Sequence, residues 1–289
     1  MATIEFRTVR VRGAALNVAT AGEGPPLLLL HGWPEFWMTW EPVMRRLAPR
    51  FRLVAPDFRG FGESDKPDRP WGAEDHAKDL VALLDVLGIE RCGVVAHDVG
   101  GSVSLKLGRL APERVRGFFL FGVFYPGIGH RMGLPDHLKE IWYQSFHLQE
   151  MAPAIVGASR ESCRTYIAHF LRHWAVRKDA FDDVLEAWTD NFLRPGNLEG
   201  GFGWYKAANA ERLLVLKNEA PRQPPITVPA CVRWPDGDPL WPYAWTDRLW
   251  ETFSVLDLRK FEGVGHFPHR EAPDRAAEEI AGFFSGLIV

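Results

Sequence analysis

Asp98 ends a short apolar run, Val94-Val95-Ala96-His97, and is followed by Val99-Gly100-Gly101. That sets a carboxylate on a tight strand-to-helix turn, a nucleophile elbow, where small neighbours (Ala96, Gly100 and Gly101) let strand and helix pack closely around a strained residue. Alone, an acidic residue there reads as a helix cap. Two later pieces change the reading. Trp234-Pro235-Asp236-Gly237-Asp238-Pro239 places an acidic pair after a further strand, and Gly263-Val264-Gly265-His266-Phe267 places a histidine in a loop after the last one. The order nucleophile, acid, histidine is that of a catalytic triad with its nucleophile first. A carboxylate is ionised at neutral pH, so Asp98 needs no base to attack a saturated carbon and leave an ester. Cleaving that ester takes water and a base, which a histidine held in one tautomer by a carboxylate can supply. Both Asp236 and Asp238 are open for the carboxylate.

These residues need a scaffold that brings distant loop ends together. Ile4 to Thr20 reads as two short strands turning at Gly13, and Pro26 to Leu30 is a continuous apolar run of the kind that makes a buried parallel strand. It ends at His31-Gly32-Trp33-Pro34-Glu35, where Gly32 permits a sharp turn and Pro34 is a place for a cis peptide. A strand at Phe51 to Pro56 leads into the Gly-rich loop Asp57 to Ser64, expected beneath the site. Leu80, Leu83, Leu84 and Leu87 sit at helical spacing before Gly88. Then come the strand Gly93 to His97, a helix towards Leu110 ended by Pro112, and a strand from Val115 to Val123. Beyond Tyr125-Pro126-Gly127 the pattern turns helical, with segments Ile141 to Glu150, Arg160 to Trp174 and Ala180 to Phe192, until a stiff linker at Pro221, Pro224, Pro225 and Pro229. Strands at Val232 to Trp234 and Val255 to Phe261 and a helix from Pro273 to Leu287 close the chain. The expected fold is α/β: a mostly parallel sheet with helices on both faces, a core over residues 1–125 and 226–289, and an inserted helical cap over 126–225, above the carboxyl edge.

Composition narrows the class. The 289 residues give ample chain for a buried core, and 12 Trp and 19 Phe leave aromatics to spare for an apolar pocket. A net charge of -3 argues against a nucleic-acid partner. Cys92, Cys163 and Cys231 are too few and too scattered for a disulfide framework or a zinc site, and no signal peptide or membrane-length apolar run occurs. A cytoplasmic protein with free thiols is expected, with no cofactor or metal and no membrane partner, and a homodimer is left open.

The motifs together, His31 to Glu35, Asp57 to Ser64, Ala96 to Gly101, Asp238 and Gly265-His266, resemble the α/β-hydrolases of the epoxide hydrolase and haloalkane dehalogenase branch, in which Asp replaces Ser as nucleophile. The resemblance covers nearly the whole chain. It implies Asp98 as nucleophile, His266 as the base that activates water, and Asp238 as its partner, with Asp236 left as a turn residue. Because water would attack the carbonyl carbon of Asp98 itself, the oxyanion belongs to Asp98, and the fold implies the backbone N–H groups of Trp33 and Val99 as its donors. His31 and His97 are expected to be buried histidines with satisfied hydrogen bonds.

The leaving group separates epoxide from halide. An epoxide oxygen departs as an alkoxide and needs a proton donor, whereas a halide needs only N–H donors. Ile141 to Phe146 and Phe202 to Ala207 resemble the two cap segments from which epoxide hydrolases present paired tyrosines, which implies Tyr143 and Tyr205 as donors. Tyr166 reads as core, and Trp142, Phe146, Trp174 and Trp204 as packing or pocket wall. Val99 stands where haloalkane dehalogenases place Trp and fluoroacetate dehalogenases an arginine; Tyr143-Gln144 stands where the latter carry His-Trp. The Trp33 indole keeps a halide reading alive. The expectation is hydrolysis of a small apolar epoxide by water through an Asp98 ester. The alternatives are a haloalkane or haloacetate dehalogenase using the same ester and a non-catalytic ligand-binding relative.

Overall fold

Arg12 and Gly13 both take positive φ and turn the first hairpin, pairing β1 (Glu5–Val11) with β2 (Ala14–Ala21). The computed structural model describes residues 2–287. After the hairpin come β3 (Pro26–Leu30), α1 (Glu41–Leu47), β4 (Arg52–Pro56), α2 (Ala73–Val86), β5 (Cys92–His97), α3 (Val99–Leu110) and β6 (Val115–Phe121). Five helices follow: α4 (Leu138–His147), α5 (Ala152–Val156), α6 (Arg160–His173), α7 (Leu185–Phe192) and α8 (Asn197–Leu216). The chain then returns through β7 (Ala230–Pro235), β8 (Leu256–Phe261), α9 (Pro268–Glu271) and α10 (Pro273–Ser285). The 8-stranded sheet has the order β1-β2-β4-β3-β5-β6-β7-β8, with β2 antiparallel to both neighbours and every later pairing parallel.

The apolar runs dictate this order. Every residue of β5 is buried, as a strand covered on both faces requires, and Phe118, Phe119, Leu120 and Phe121 of β6 are fully buried beside it. Each such side chain contributes about 1.5–3 kcal/mol on leaving water. On one face α10 buries Ala276, Ala277, Ile280, Ala281 and Phe284, a single stripe at helical spacing, and the Phe284 ring fills the space a Cβ at Gly93 would need. Strand ends fall within a residue or two of those expected, and the Trp33-Pro34 peptide is cis.

Two expectations need correction. The segment Ala180 to Phe192 is helical only from Leu185, its first residues forming turns. More consequential is α8, 20 residues long, which lies outside the expected helical segments and of which the sequence singles out only Phe202 to Ala207, through its resemblance to a cap segment. Gly200, Gly201 and Gly203 hide its periodicity. They serve close approach instead: a Cβ at Gly200 would collide with the Gly60 backbone, and one at Gly201 would press on the Trp33 indole nitrogen at 3.2 Å. No helix among the described residues is long and apolar enough to cross a membrane.

Candidate active site

Because β3, β5, β7 and β8 are parallel, their carboxyl ends share one edge of the sheet, and the loops leaving them carry Trp33, Asp98, Asp238 and His266. Asp98 sits at φ 50 and ψ -112, a conformation costly for a side chain other than glycine. The elbow holds it there because the backbone behind it is small: a Cβ at Gly32 would meet the Asp98 Cβ at 2.6 Å, and one at Gly100 would collide with the Leu30 carbonyl. The strained turn lifts the carboxylate off the strand end into a cavity of about 710 Å³, whose wall it forms with Val99, Tyr143, Gln144, Tyr205 and Trp241.

The two carboxylate oxygens of Asp98 have different neighbours. Oδ1 accepts the Trp33 N–H at 2.8 Å, and Oδ2 faces His266 Nε2 at 3.8 Å. Val99, the other expected donor, lines the cavity at the start of α3, but no hydrogen bond from its N–H to Asp98 occurs among the described residues. His266 is buried, and its Nδ1 hydrogen-bonds Asp238 Oδ2 at 2.9 Å while Asp238 Oδ1 accepts the Leu240 N–H at 2.8 Å. Asp236 is exposed and accepts the Gly263 N–H at 2.8 Å, a turn contact. Burial is the largest influence on His266 and pulls its pKa down. The Asp238 carboxylate and its hydrogen bond, with the charges of Asp98 and Glu35, outweigh burial and raise the pKa to about 9.

Tyr143 from α4 and Tyr205 from α8 meet with ring centroids 5.5 Å apart in an edge-to-face arrangement, both buried and both facing the Asp98 cavity. Burial comes first in pushing both phenols above their ordinary pKa. Asp98 adds to it at Tyr143, and Tyr143 and then Asp98 add to it at Tyr205. Both therefore keep their protons at neutral pH. The Trp33 indole stacks on Tyr143 at 5.4 Å, and its nitrogen points at α8 near Gly201 and finds no hydrogen-bond partner. The Tyr166 hydroxyl hydrogen-bonds His147 Nε2 at 2.8 Å, Trp204 lines the cavity, and Trp142 stays 44% exposed.

Beneath the elbow lies a buried network that the motifs only touched. Glu35 Oε2 accepts the Gly32 N–H and contacts His97 Nδ1, both at 2.8 Å, and Oε1 contacts His269 Nε2 at 2.8 Å and Thr39 Oγ1 at 2.5 Å. Burial would raise the Glu35 pKa, yet His97 and His269 together hold it well below its usual value. Burial drives His269 down to about 4 against the pull of Glu35. His31 meets its expectation: one ring nitrogen bonds the Gly32 carbonyl and the other accepts the Phe58 N–H. His97 meets it by half, since its Nε2 has no partner and its ring lies 4.5 Å from that of His266. Glu271 was also missed. Its carboxylate accepts N–H groups from Val176, Arg177, Gly265 and Phe267, and so fixes the His266 loop. No motif marks His269, whose partners Glu35 and Thr39 are far away in sequence, and Glu271 joins its near neighbours Gly265 and Phe267 to the distant Val176 and Arg177.

Residues 25–273 match the family model described as the alpha/beta hydrolase fold. A soluble epoxide hydrolase from a Corynebacterium species is 29% identical over 299 residues, covering 98% of this chain and 98% of that protein. Epoxide hydrolase 2 of Siraitia grosvenorii is 30% identical over 236 residues, 72% of this chain and 74% of that one. Among solved structures, the epoxide hydrolase CorEH without ligand matches with a TM-score of 0.87 at 26% identity, covering 99% of this chain and 100% of that one. An epoxide hydrolase from Vigna radiata matches with a TM-score of 0.81 at 25% identity over 98% of both chains.

Proposed function

The chain belongs to the α/β-hydrolase family, and within it to the epoxide hydrolases; from that premise we propose that it opens an epoxide to a vicinal diol through an ester on Asp98. The observation that carries the reading is the convergence of Tyr143 and Tyr205 on the cavity that Asp98 lines. Asp98 Oδ2 attacks an epoxide carbon, and the C–O bond breaks towards the two phenols, which donate a proton to the leaving oxygen. His266, as the neutral base with Asp238 fixing its tautomer, takes a proton from water, which adds to the Asp98 carbonyl carbon. The oxyanion develops on Oδ1, where the Trp33 N–H already stands at 2.8 Å; as it collapses the Cγ–Oδ2 bond breaks, the departing diol oxygen takes the proton from His266, and the regenerated Asp98 carboxyl returns a proton to the tyrosinate. Val99 N–H, at the first turn of α3, is the second donor, engaged as the charge forms.

The helices α4 to α8 act in this scheme as the cap over residues 126–225, bringing the proton donors while the core brings nucleophile, acid and base. A dehalogenase reading loses its support at Trp33, whose indole nitrogen faces α8 rather than the cavity. The three cysteines are free and buried, in keeping with a cytoplasmic location. The test is a single turnover of a styrene-oxide-type epoxide in heavy-oxygen water. Asp98 should acquire the label in its carboxylate, and an unlabelled Asp98 after confirmed turnover would mean direct attack by water. Parallel assay of a haloalkane and fluoroacetate should give no comparable rate.

A further inference from the structure

Resting on the epoxide hydrolase reading, we infer that Gln144 is a positioning residue of the ring opening: its side-chain N–H donates to the Tyr143 oxygen and makes Tyr143, rather than Tyr205, the phenol that gives up its proton.

Tyr143 and Gln144 are consecutive on α4, and both are buried and line the cavity that holds the Asp98 carboxylate. The Tyr143 ring is held on several sides. Trp33 stacks on it at 5.4 Å, while Phe170 and Trp174 meet it at 5.1 and 5.2 Å. Its hydroxyl oxygen is therefore fixed, and Gln144 Nε2 stands 3.3 Å from it. The other end of the same amide is less well served: Gln144 Oε1 is buried and has no hydrogen-bond partner among the described residues. An unpaired buried oxygen destabilises the fold, and leucine at 144 would fill much the same space without one. What the amide supplies, and leucine lacks, is an N–H directed at one phenol.

The orientation of the amide agrees with the direction of proton transfer. A phenol has a single proton. With that proton pointing at the epoxide oxygen, the Tyr143 oxygen can only accept from its other neighbours, and an amide meets the demand through nitrogen alone. As the epoxide C–O bond breaks, the Tyr143 O–H bond breaks with it, the proton goes to the departing oxygen, and the electron pair stays on Tyr143. A hydrogen bond to a group gaining charge strengthens as the charge grows, so the Gln144 N–H holds the tyrosinate more firmly than the phenol. The two tyrosines differ here. Tyr205 has no such N–H donor among the described residues; hydrogen bonding joins it to Tyr143 instead. Burial raises the pKa of both, but the bonds from Gln144 and Tyr205 draw Tyr143 back, while the bond to Tyr143 pushes Tyr205 further up. Tyr205 thus keeps its proton throughout.

The test is single-turnover ester formation on Asp98 from a styrene-oxide-type epoxide, read by rapid quench and intact mass. In Gln144→Leu, and equally in the unbranched Gln144→Met, the rate should fall by about tenfold to a hundredfold, the loss expected of one hydrogen bond to a developing charge. The epoxide concentration giving half the maximal rate should change little. Fluorotyrosine in place of Tyr143, a stronger acid of nearly the same size, should restore most of the rate in either variant; in place of Tyr205 it should restore little. A loss of packing alone would not be mended by a more acidic phenol. An unchanged rate in both variants, a loss that fluorotyrosine in place of Tyr143 leaves as it was, or one mended as well from Tyr205 would overturn the inference. In each of those cases the natural enzyme still forms its ester, and the epoxide hydrolase reading stands. If the natural enzyme formed no ester on Asp98 from any epoxide, both readings would fall.

Discussion

His266 Nε2 stands 3.8 Å from Asp98 Oδ2, beyond hydrogen-bond reach, with no other partner among the described residues. Its other nitrogen is committed to Asp238 at 2.9 Å. In the proposed ester mechanism the two would work one after the other: the oxygen nearer His266 would take the substrate, and the unpartnered nitrogen would serve the water that removes it.

Replacing His266 therefore separates the two steps. In His266→Gln, turnover should fall by about 10²–10⁴-fold while ester formation persists, so one substrate adduct per chain accumulates on Asp98 and is seen by intact mass. An adduct-free variant, tested with an epoxide that the natural enzyme turns over, would remove the base role.

The pH dependence follows from the same contact. His266 must be neutral to act, and in the free enzyme its pKa is about 9 against an ordinary 6.5. Esterification removes the Asp98 charge, one of the groups that raise it. Ester breakdown in single turnover should then rise with pH and level off between 6.5 and 9, while ester formation stays flat over that window. Stability runs the other way. A raised histidine stabilises fully below 6.5 and loses that contribution as pH climbs through 9, so His266→Gln should flatten the alkaline fall in Tm.

Tyr143→Phe and Tyr205→Phe remove one oxygen each and keep the rings that pack on Trp33. Each should slow ester formation from an epoxide by about 10²-fold, and the double variant by about 10⁴-fold, as stopped-flow mixing would read. A substrate whose leaving group needs no proton should form its ester at an unchanged rate.

Asp236 and Asp238 provide a paired control. Asp238→Asn leaves His266 without its carboxylate and should cut turnover by about 10³–10⁴-fold. Asp236→Asn weakens only the hydrogen bond to Gly263 and should leave turnover as it is, at a cost of about 1 kcal/mol in urea unfolding.

Glu35→Gln breaks the charge held between His97 and His269. Unfolding in urea should show a loss of about 3 kcal/mol, because buried donors lose the acceptor that compensated them. The natural network should also be acid-sensitive. His269 stays neutral down to about 4 in the folded chain and protonates near 6.5 when unfolded, so its stability is present above 6.5 and lost as pH falls to about 4. Glu35, held low, adds a loss that begins below pH 4.5.

What the sequence determined by itself is what short stretches of chain can encode. Continuous apolar runs fixed β3, β5 and β6 as buried parallel strands, because only a strand covered on both faces is apolar throughout. Ala96, Gly100 and Gly101 marked the elbow because the steric cost of a tight strand-to-helix turn is local. Chain order and loop motifs then picked out Asp98 and His266, and left Asp236 and Asp238 both open until the family resemblance chose Asp238. Tertiary structure decided everything that depends on which distant side chains meet. The full length of α8 was hidden because Gly200 and Gly201 answer to Gly60 and Trp33, far away in the chain, instead of to helical periodicity. Glu35 became the centre of a buried pair of histidines only once α9 packed beside the loop after β3, and Trp33 turned its indole away from the cavity only against α8. Hydrogen bonds and charges act over a few ångströms of space regardless of sequence separation, so those relationships exist only in the folded chain.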